Sequence, residues 1–359
     1  MGKAATLKIR FFVRSAGETY LKEKVFMAID AHAHYVPKPI VEKLQKEGSR
    51  YGISVVEQEP ACYCLHFHYG LKCRPFFSRL LEPAEKRIDS MQKQGIGRQV
   101  LSGWVDVFGH GLDVDKGSAW HRLMNETLAG FCHEHPEHFS MLASGHMPDA
   151  RSAARELEHS VKKLGAVGAV VACNVEGVNL GDLPLDEYWA AASELGVPVF
   201  LHPTQPVPTA RSKSFALNQV VQYTFDTTLA VGSLIWSGVL DRFPKLNLIL
   251  SHGGGALPYL IGRFDCMHAR SHHNVTGIVS EQAPSAYLRR MYYDTILHDP
   301  LALRFLKDRV DSDRIVLGTD DSFPPADADP MGSLKNAGFS AQEIDQIANV
   351  NPAALFGLK

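Results

Sequence analysis

Residues 29–34 read Ile29-Asp30-Ala31-His32-Ala33-His34 and close the apolar run Phe26-Met27-Ala28-Ile29. Side chains alternate along a β-strand, so His32 and His34 point to one side of the strand that carries them. Two imidazoles in that arrangement are either half of a metal site or a pair of packed histidines, and the pattern alone does not choose. The rest of the chain has to say what kind of sheet holds this strand and what the other strand ends deliver.

Working outward, further short apolar runs follow at Gln99–Leu101, Met141–Ala143, Ala166–Ala172, Val197–Leu201, Leu246–Leu250, Met291–Ile296 and Ile315–Leu317, which makes eight candidate strands. Helix-like stretches lie between most of them, including Ala84–Gln94, Ala150–Leu164 and Leu185–Leu195; the last carries Leu185, Tyr188, Ala192 and Leu195 on one stripe. Continuous apolar strands alternating with helices specify a parallel sheet covered on both faces. Eight such units predict an α/β fold, a (β/α)8 TIM barrel, in preference to two domains. A doubly wound open sheet is the competitor. No GxGxxG or GxxxxGK[ST] loop follows any strand, which removes the usual nucleotide-binding reason for choosing it.

The stretch after the first strand, about residues 36–80, is too long for an ordinary βα loop and predicts a small inserted subdomain. Ser54–Val56 and Tyr63–Tyr69 supply hairpin material within it. Residues 1–26 are basic, lack the apolar core and small-residue cleavage site of a secretory signal, and are read as an extension with no assigned function. Leu7–Val13 fits an extra strand or a frayed arm, and an original start at Met27 is compatible with the motif that follows. The barrel is expected over 27–359.

Of 359 residues, 45% are hydrophobic and 21% charged, the proportions of an ordinary globular protein. A net charge of −2 argues against nucleic-acid binding, which needs clustered cations. No apolar run is long enough to span a membrane. Six cysteines over this length do not make a disulfide framework, and they are read as reduced in a cytoplasmic protein. The 17 histidines are the unusual feature, because histidine chemistry near neutral pH is proton transfer and metal ligation.

Strand five ends in Phe200-Leu201-His202-Pro203, strand six in Leu250-Ser251-His252-Gly253-Gly254-Gly255, and strand eight in Leu317-Gly318-Thr319-Asp320. Each polar residue follows an apolar run directly, where barrel enzymes place catalytic groups. A lone buried histidine is most simply a packed core residue. Four strand ends supplying histidines and an aspartate to one mouth make the ligand reading of His32 and His34 the stronger one.

At this point the sequence resembles the amidohydrolase superfamily, in the branch of 2-amino-3-carboxymuconate-6-semialdehyde decarboxylase and related aromatic-acid decarboxylases. The likeness runs from about Met27 to Leu358. It rests on residues 30–34, 200–203 and 251–259, on Tyr-Asp-Thr-Ile-Leu-His-Asp-Pro (293–300), on Leu-Gly-Thr-Asp (317–320), and on the ending Asn-Pro-Ala-Ala-Leu-Phe-Gly-Leu (351–358). It implies one divalent metal, Zn²⁺ or alternatively Mn²⁺, held by His32, His34, His202 and Asp320. Ala172-Cys173-Asn174 stands at the end of strand four, where dinuclear relatives carry a lysine, so a single metal is expected. His252 is similar to the family's non-liganding general base or acid, and Asp320 would also shuttle a proton. The implied activity is non-oxidative decarboxylation of a small aromatic or unsaturated ring-cleavage acid. A hydrolase of the same fold, cleaving an amide, lactone or C–C bond, is the alternative, since the ligand set supports both.

An acid substrate needs cations. The likeness implies Arg263, eleven residues after His252, as an arginine lent to a neighbouring subunit, hence a homodimer or larger. Arg74 is the candidate own-subunit substrate arginine, or else a solvated loop residue. Trp104 is read as a stacking surface for a planar substrate or as a core tryptophan, and His298 as a further substrate contact. Thr204 departs from the aromatic residue that follows His-Pro in the decarboxylase. Leu101–Asp106 also differs, which puts the substrate in doubt. Cys62, Cys64, His66 and His68 alternate, but alternate residues on a straight strand are about 6.5–7 Å apart, so all four cannot converge on one ion. His133, His135 and His138 are read as surface histidines at a helix C-terminus.

Overall fold

The first strand, β1, runs Ala28–His34 and buries nearly every residue, so it is an interior element covered on both faces. The structure, a computed structural model, describes residues 28–204, 210–270 and 277–358. The extension 1–26 and its strand at Leu7–Val13 lie outside these. So do Phe26 and Met27, with which the first strand was expected to begin; in the described residues β1 instead runs on through both histidines.

Seven more parallel strands follow: β2 (Ile96–Ser102), β3 (Phe139–Ala143), β4 (Gly168–Ala172), β5 (Val199–His202), β6 (Leu248–Leu250), β7 (Met291–Asp294) and β8 (Ile315–Val316). They are hydrogen-bonded in chain order. The eighth returns to the first: the Ala31 amide donates to the Leu317 carbonyl at 2.8 Å, and Ala33 bridges Asp321. The sheet is therefore a barrel, as the eight alternating units predict.

The principal helices are α1 (Ala84–Lys93), α2 (Val114–Glu134), α3 (Ala150–Leu164), α4 (Asp186–Leu195), α5 (Tyr223–Trp236), α6 (Leu257–Ala269) and α7 (Pro300–Val310). Asp113, Asp149 and Asp299 cap α2, α3 and α7 by accepting from the amides of Lys116, Ser152 and Ala302. The two-residue period of the strands divides the core. Val100, Leu142, Val170, Phe200, Ile249 and Val316 fill the barrel interior. Leu101, Met141, Val171, Leu201, Leu250 and Leu317 pack outward with helix residues such as Leu157, Trp189 and Leu303.

The segment after β1 holds a helix (Lys38–Glu47) and an antiparallel hairpin (Ile53–Glu59 with Cys62–Phe67). The hairpin lies on the loop after β2, where a Cβ at Gly109 or Gly111 would come within 2.3 Å of the Phe67 or Tyr69 ring. Cys62, Cys64, His66 and His68 do not gather into a would-be metal site among the described residues. Among those residues no helix is long and apolar enough to cross a membrane.

Candidate active site and metal centre

The interior-facing ends of β1 and β5 and the loops after β6 and β8 bring His32, His34, His202, His252 and Asp320 together at one end of the barrel. His32 Nε2 lies 3.0 Å from His34 Nε2, and each is 3.3 Å from Asp320 Oδ1. The His202 ring centroid is 5.1 Å from that of His32 and 4.6 Å from that of His34. His252 Nε2 is 3.6 Å from Asp320 Oδ2. One ligating atom from each of His32, His202, His252 and Asp320 falls within 4.8 Å of all the others. The Phe200 ring, 4.7 Å from His32, forms the floor.

The hydrogen bonds behind the rings decide which nitrogens face inward. His32 Nδ1 donates to Asp294 Oδ2 at 2.6 Å, and His202 Nδ1 donates to the Pro203 carbonyl at 2.7 Å. Ser102 Oγ donates to the Ala33 carbonyl at 3.4 Å, so it accepts from His34 Nδ1 at 2.9 Å. With Nδ1 turned outward on all three rings, the three Nε2 atoms converge with a carboxylate, an arrangement that repels itself unless a cation or a proton sits between them. His202 Nε2 and Asp320 Oδ1 are both buried with no hydrogen-bond partner. Three imidazoles and one carboxylate suit a divalent transition metal, so the residues present fit such an ion.

The electrostatics carry the same demand. Burial opposes charge on His32, yet Asp320 and the bond to Asp294 outweigh it and push this imidazole up to about 10. Burial holds His34 below its ordinary value, and His202 well below with the help of the neighbouring imidazoles. Burial also opposes the Asp320 charge, but His32, His252 and His34 keep this carboxylate ionised well below the usual range.

Backbone geometry aims the last two groups. His252 and Asp320 adopt φ of 53° and 57°, uncommon for residues with a Cβ and typical of functional turns. In the His252–Gly255 turn, a Cβ at Gly255 would stand 2.0 Å from the Thr224 carbonyl oxygen, so only glycine lets α5 approach. Asp294 accepts from the His252 and Gly253 amides at 3.0 and 2.9 Å, tying this turn to His32. Asp30, fully buried, accepts from the Thr319 hydroxyl at 2.6 Å and from the His32 amide at 3.1 Å, clamping β1 to the loop that carries Asp320.

A cavity of about 420 Å³ opens from this cluster, lined by His202, His252, Asp320, Arg74, Trp104, Phe323 and His298 among others. Arg74 stands over the rings of Phe77, Trp104 and Phe323 at 4.8, 5.4 and 5.8 Å and pairs with Asp106 Oδ2 at 3.6 Å. Thr204 donates to Asp106 Oδ1 at 3.0 Å, so the residue standing where an aromatic was expected braces the acid that holds Arg74. Trp104 is buried in the core and also lines the cavity. Arg263 is exposed on α6 and does not line this chain's own cavity. Just past the end of β4, Asn174 Nδ2 donates to Asp226 Oδ2 at 3.0 Å. Sequence reasoning assigned no role to Asp294 or Asp30, although Asp294 follows the apolar run Met291-Tyr292-Tyr293 just as His202 follows its own strand.

Comparisons with known proteins show the family and the fold. The amidohydrolase family profile matches residues 29–358. The chain is 29% identical over 336 residues, 92% of each chain, to 2-amino-3-carboxymuconate-6-semialdehyde decarboxylase of Dictyostelium discoideum. Its fold is similar to that of 5-carboxyvanillate decarboxylase from Sphingomonas paucimobilis, with a TM-score of 0.79, 22% identity, and coverage of 93% of this chain and 99% of the other. It is also similar, with a TM-score of 0.75, 25% identity, and coverage of 92% and 97%, to a dihydroxybenzoic acid decarboxylase from Polaromonas sp. solved with manganese and the inhibitor 2-nitroresorcinol. The chain belongs to the amidohydrolase family, in the branch that holds 2-amino-3-carboxymuconate-6-semialdehyde decarboxylase and the aromatic-acid decarboxylases.

Proposed function

We propose that this protein is a metal-dependent, non-oxidative decarboxylase of a small aromatic or unsaturated ring-cleavage carboxylic acid. The observation that carries this reading is the convergence of three imidazole nitrogens and the Asp320 carboxylate at the base of a cavity whose wall presents Arg74 among aromatic rings. The decarboxylase relatives support it. His32, His34, His202 and Asp320 would hold one divalent ion, Zn²⁺ as the first assignment and Mn²⁺ as the alternative, the latter being the ion of the Polaromonas relative. A bound ion polarises a substrate oxygen and anchors the acid.

The chain's own residues supply the rest. Arg74 grips a carboxylate while Trp104 and Phe323 take the planar ring, and His298 closes the cavity rim. As the bond to the carboxyl carbon breaks and CO₂ departs, the electron pair left on the substrate carbon accepts a proton. His252 and Asp320 deliver it: His252 Nε2 lies beside Asp320 Oδ2, and its side chain keeps 13% exposure for exchange with solvent. His252 stands on the cavity side of the cluster, whereas the fully buried His34 reaches both His32 and Asp320, so His34 is assigned as ligand and His252 as proton carrier.

Arg263 would reach the active site of a second copy in a homodimer. The exposed apolar residues Phe225, Leu229, Tyr259 and Met267 on α5 and α6 support pairing on that face. All six cysteines are free, which supports a reducing, cytoplasmic setting.

The test is to assay hydroxybenzoates, aminomuconate-type acids and lactones in D₂O containing H₂¹⁸O. Decarboxylation releases CO₂ and leaves one deuterium on carbon and no ¹⁸O in the product. Turnover that incorporates ¹⁸O without CO₂ overturns the reading in favour of the hydrolase.

A further inference from the structure

A second group of three histidines lies outside the catalytic centre. His110 comes from the loop after β2, His121 from α2, and His146 from the loop after β3; none is more than 7% exposed. One ring nitrogen from each lies within 4.8 Å of the other two. Both nitrogens of His110, both of His146 and Nε2 of His121 have no hydrogen-bond partner. Buried polar atoms are normally paired, and five orphans in one spot call for an explanation.

His110 and His121 stack with ring centroids 5.5 Å and planes 11° apart, and polar neighbours hold His121 from behind. Ser144 Oγ donates to Asn125 Oδ1 at 3.3 Å, so it accepts from His121 Nδ1 at 2.8 Å, which leaves the His121 Nε2 lone pair facing its neighbours. Asn125 is held in turn by donating to Glu156 Oε1 at 2.8 Å and to the Ser144 carbonyl at 2.9 Å. The carbonyl of Leu112 lies beside His146, available to the outward N–H of a metal-bound ring. Gly117, one turn before His121 on α2, makes room: a Cβ there would stand 2.3 Å from His146 Nδ1. Burial keeps all three imidazoles in the neutral, ligating form. His110 also lines a small cleft with Tyr69 and Glu176, so one of the three rings borders a cleft.

We propose that His110, His121 and His146 form a second metal site for Zn²⁺ or a similar divalent transition ion, completed by water. Zinc–nitrogen bonds of about 2.0–2.1 Å place tetrahedral donors about 3.4 Å apart. Ring rotations closing each separation from at most 4.8 Å complete the set. No residue is shared with the catalytic cluster. The ion staples the loop after β2 to α2 and to the end of β3; since that loop carries Trp104 and Asp106, the second site stiffens one wall of the catalytic cavity.

The experiment strips the full-length protein with chelator, reloads it by dialysis against zinc chloride, and counts bound zinc per chain by elemental analysis. Wild type, His110→Gln, His146→Ala and His32→Ala are compared, with folding checked by circular dichroism. Two zinc ions in wild type, falling to one in His110→Gln and to one in His32→Ala, support the site. A single zinc lost in His110→Gln also supports it while removing the catalytic metal. Zinc content unchanged in His110→Gln, or no zinc bound at all, overturns it. His110→Gln is the conservative change at the rim and decides the matter if His146→Ala does not fold.

Discussion

His32 Nδ1 donates to Asp294 Oδ2 at 2.6 Å, both side chains wholly buried and 262 residues apart in the chain. The bond fixes the tautomer of His32 and turns its Nε2 to the centre of the site, while the same carboxylate holds the turn that begins at His252. Removing the charge at this point should loosen the metal without touching a ligand. Asp294→Asn is expected to weaken metal binding by about 10–100-fold, the usual effect of losing such a supporting partner, as read by competition with a chelator. Unchanged affinity would mean that Asp294 only supports the fold.

The metal-free site should hold a proton that an incoming ion displaces. With His32 pushed up to about 10, calorimetric zinc titration at pH 8 in buffers of different ionisation enthalpy should report about one proton released per ion at the catalytic centre.

The same shift carries a sign for stability. A histidine raised on folding contributes fully below its unfolded value of about 6.5 and loses that contribution as pH rises towards about 10. Metal-free wild type should therefore lose more of its Tm between pH 7 and pH 10 than metal-free His32→Gln does. Parallel curves for the two proteins would contradict this.

Asp321, next to the proposed ligand Asp320, is bound by Arg87 and Arg79. Arg87 is fully buried, donates to Gln99 Oε1 at 2.7 Å and lies 3.3 Å from Asp321 Oδ2. Burial alone would raise the Asp321 carboxyl, but the two guanidinium groups hold it below its ordinary value. Arg87→Ala leaves Asp321 to Arg79 alone and Gln99 Oε1 without its donor, and denaturant unfolding should show a loss of about 1–3 kcal/mol.

Arg74 should act on binding more than on turnover. Replacing it with Gln removes charged hydrogen bonds to the acid, worth about 1.5–3 kcal/mol, which corresponds to a rise of about 10–100-fold in KM. A large fall in kcat at unchanged KM would assign Arg74 to the chemical step.

Much of this molecule is legible in local sequence because local sequence carries the two-residue period of strands. Phe200 and His202 face inward while Val199 and Leu201 face out, so the alternation by itself puts a histidine that ends an apolar run at the barrel mouth. Alternation of such runs with helices likewise determined the eight-unit barrel, and the long gap after β1 determined the insert. Asp294 ends its strand in the same way, so its position was readable, but its partner was not. His110, His121 and His146 gave no such signal, since they lie on a loop, a helix and a second loop with no common period.

The sequence by itself determined which residues stand at the strand ends and therefore what chemistry the mouth offers. Only the tertiary structure decided which of them touch. Closure of β8 onto β1 sets Asp30 against Thr319 and His32 against Asp320, contacts nearly 290 residues apart. Their geometry depends on the register of eight paired strands, and no local pattern encodes that sum.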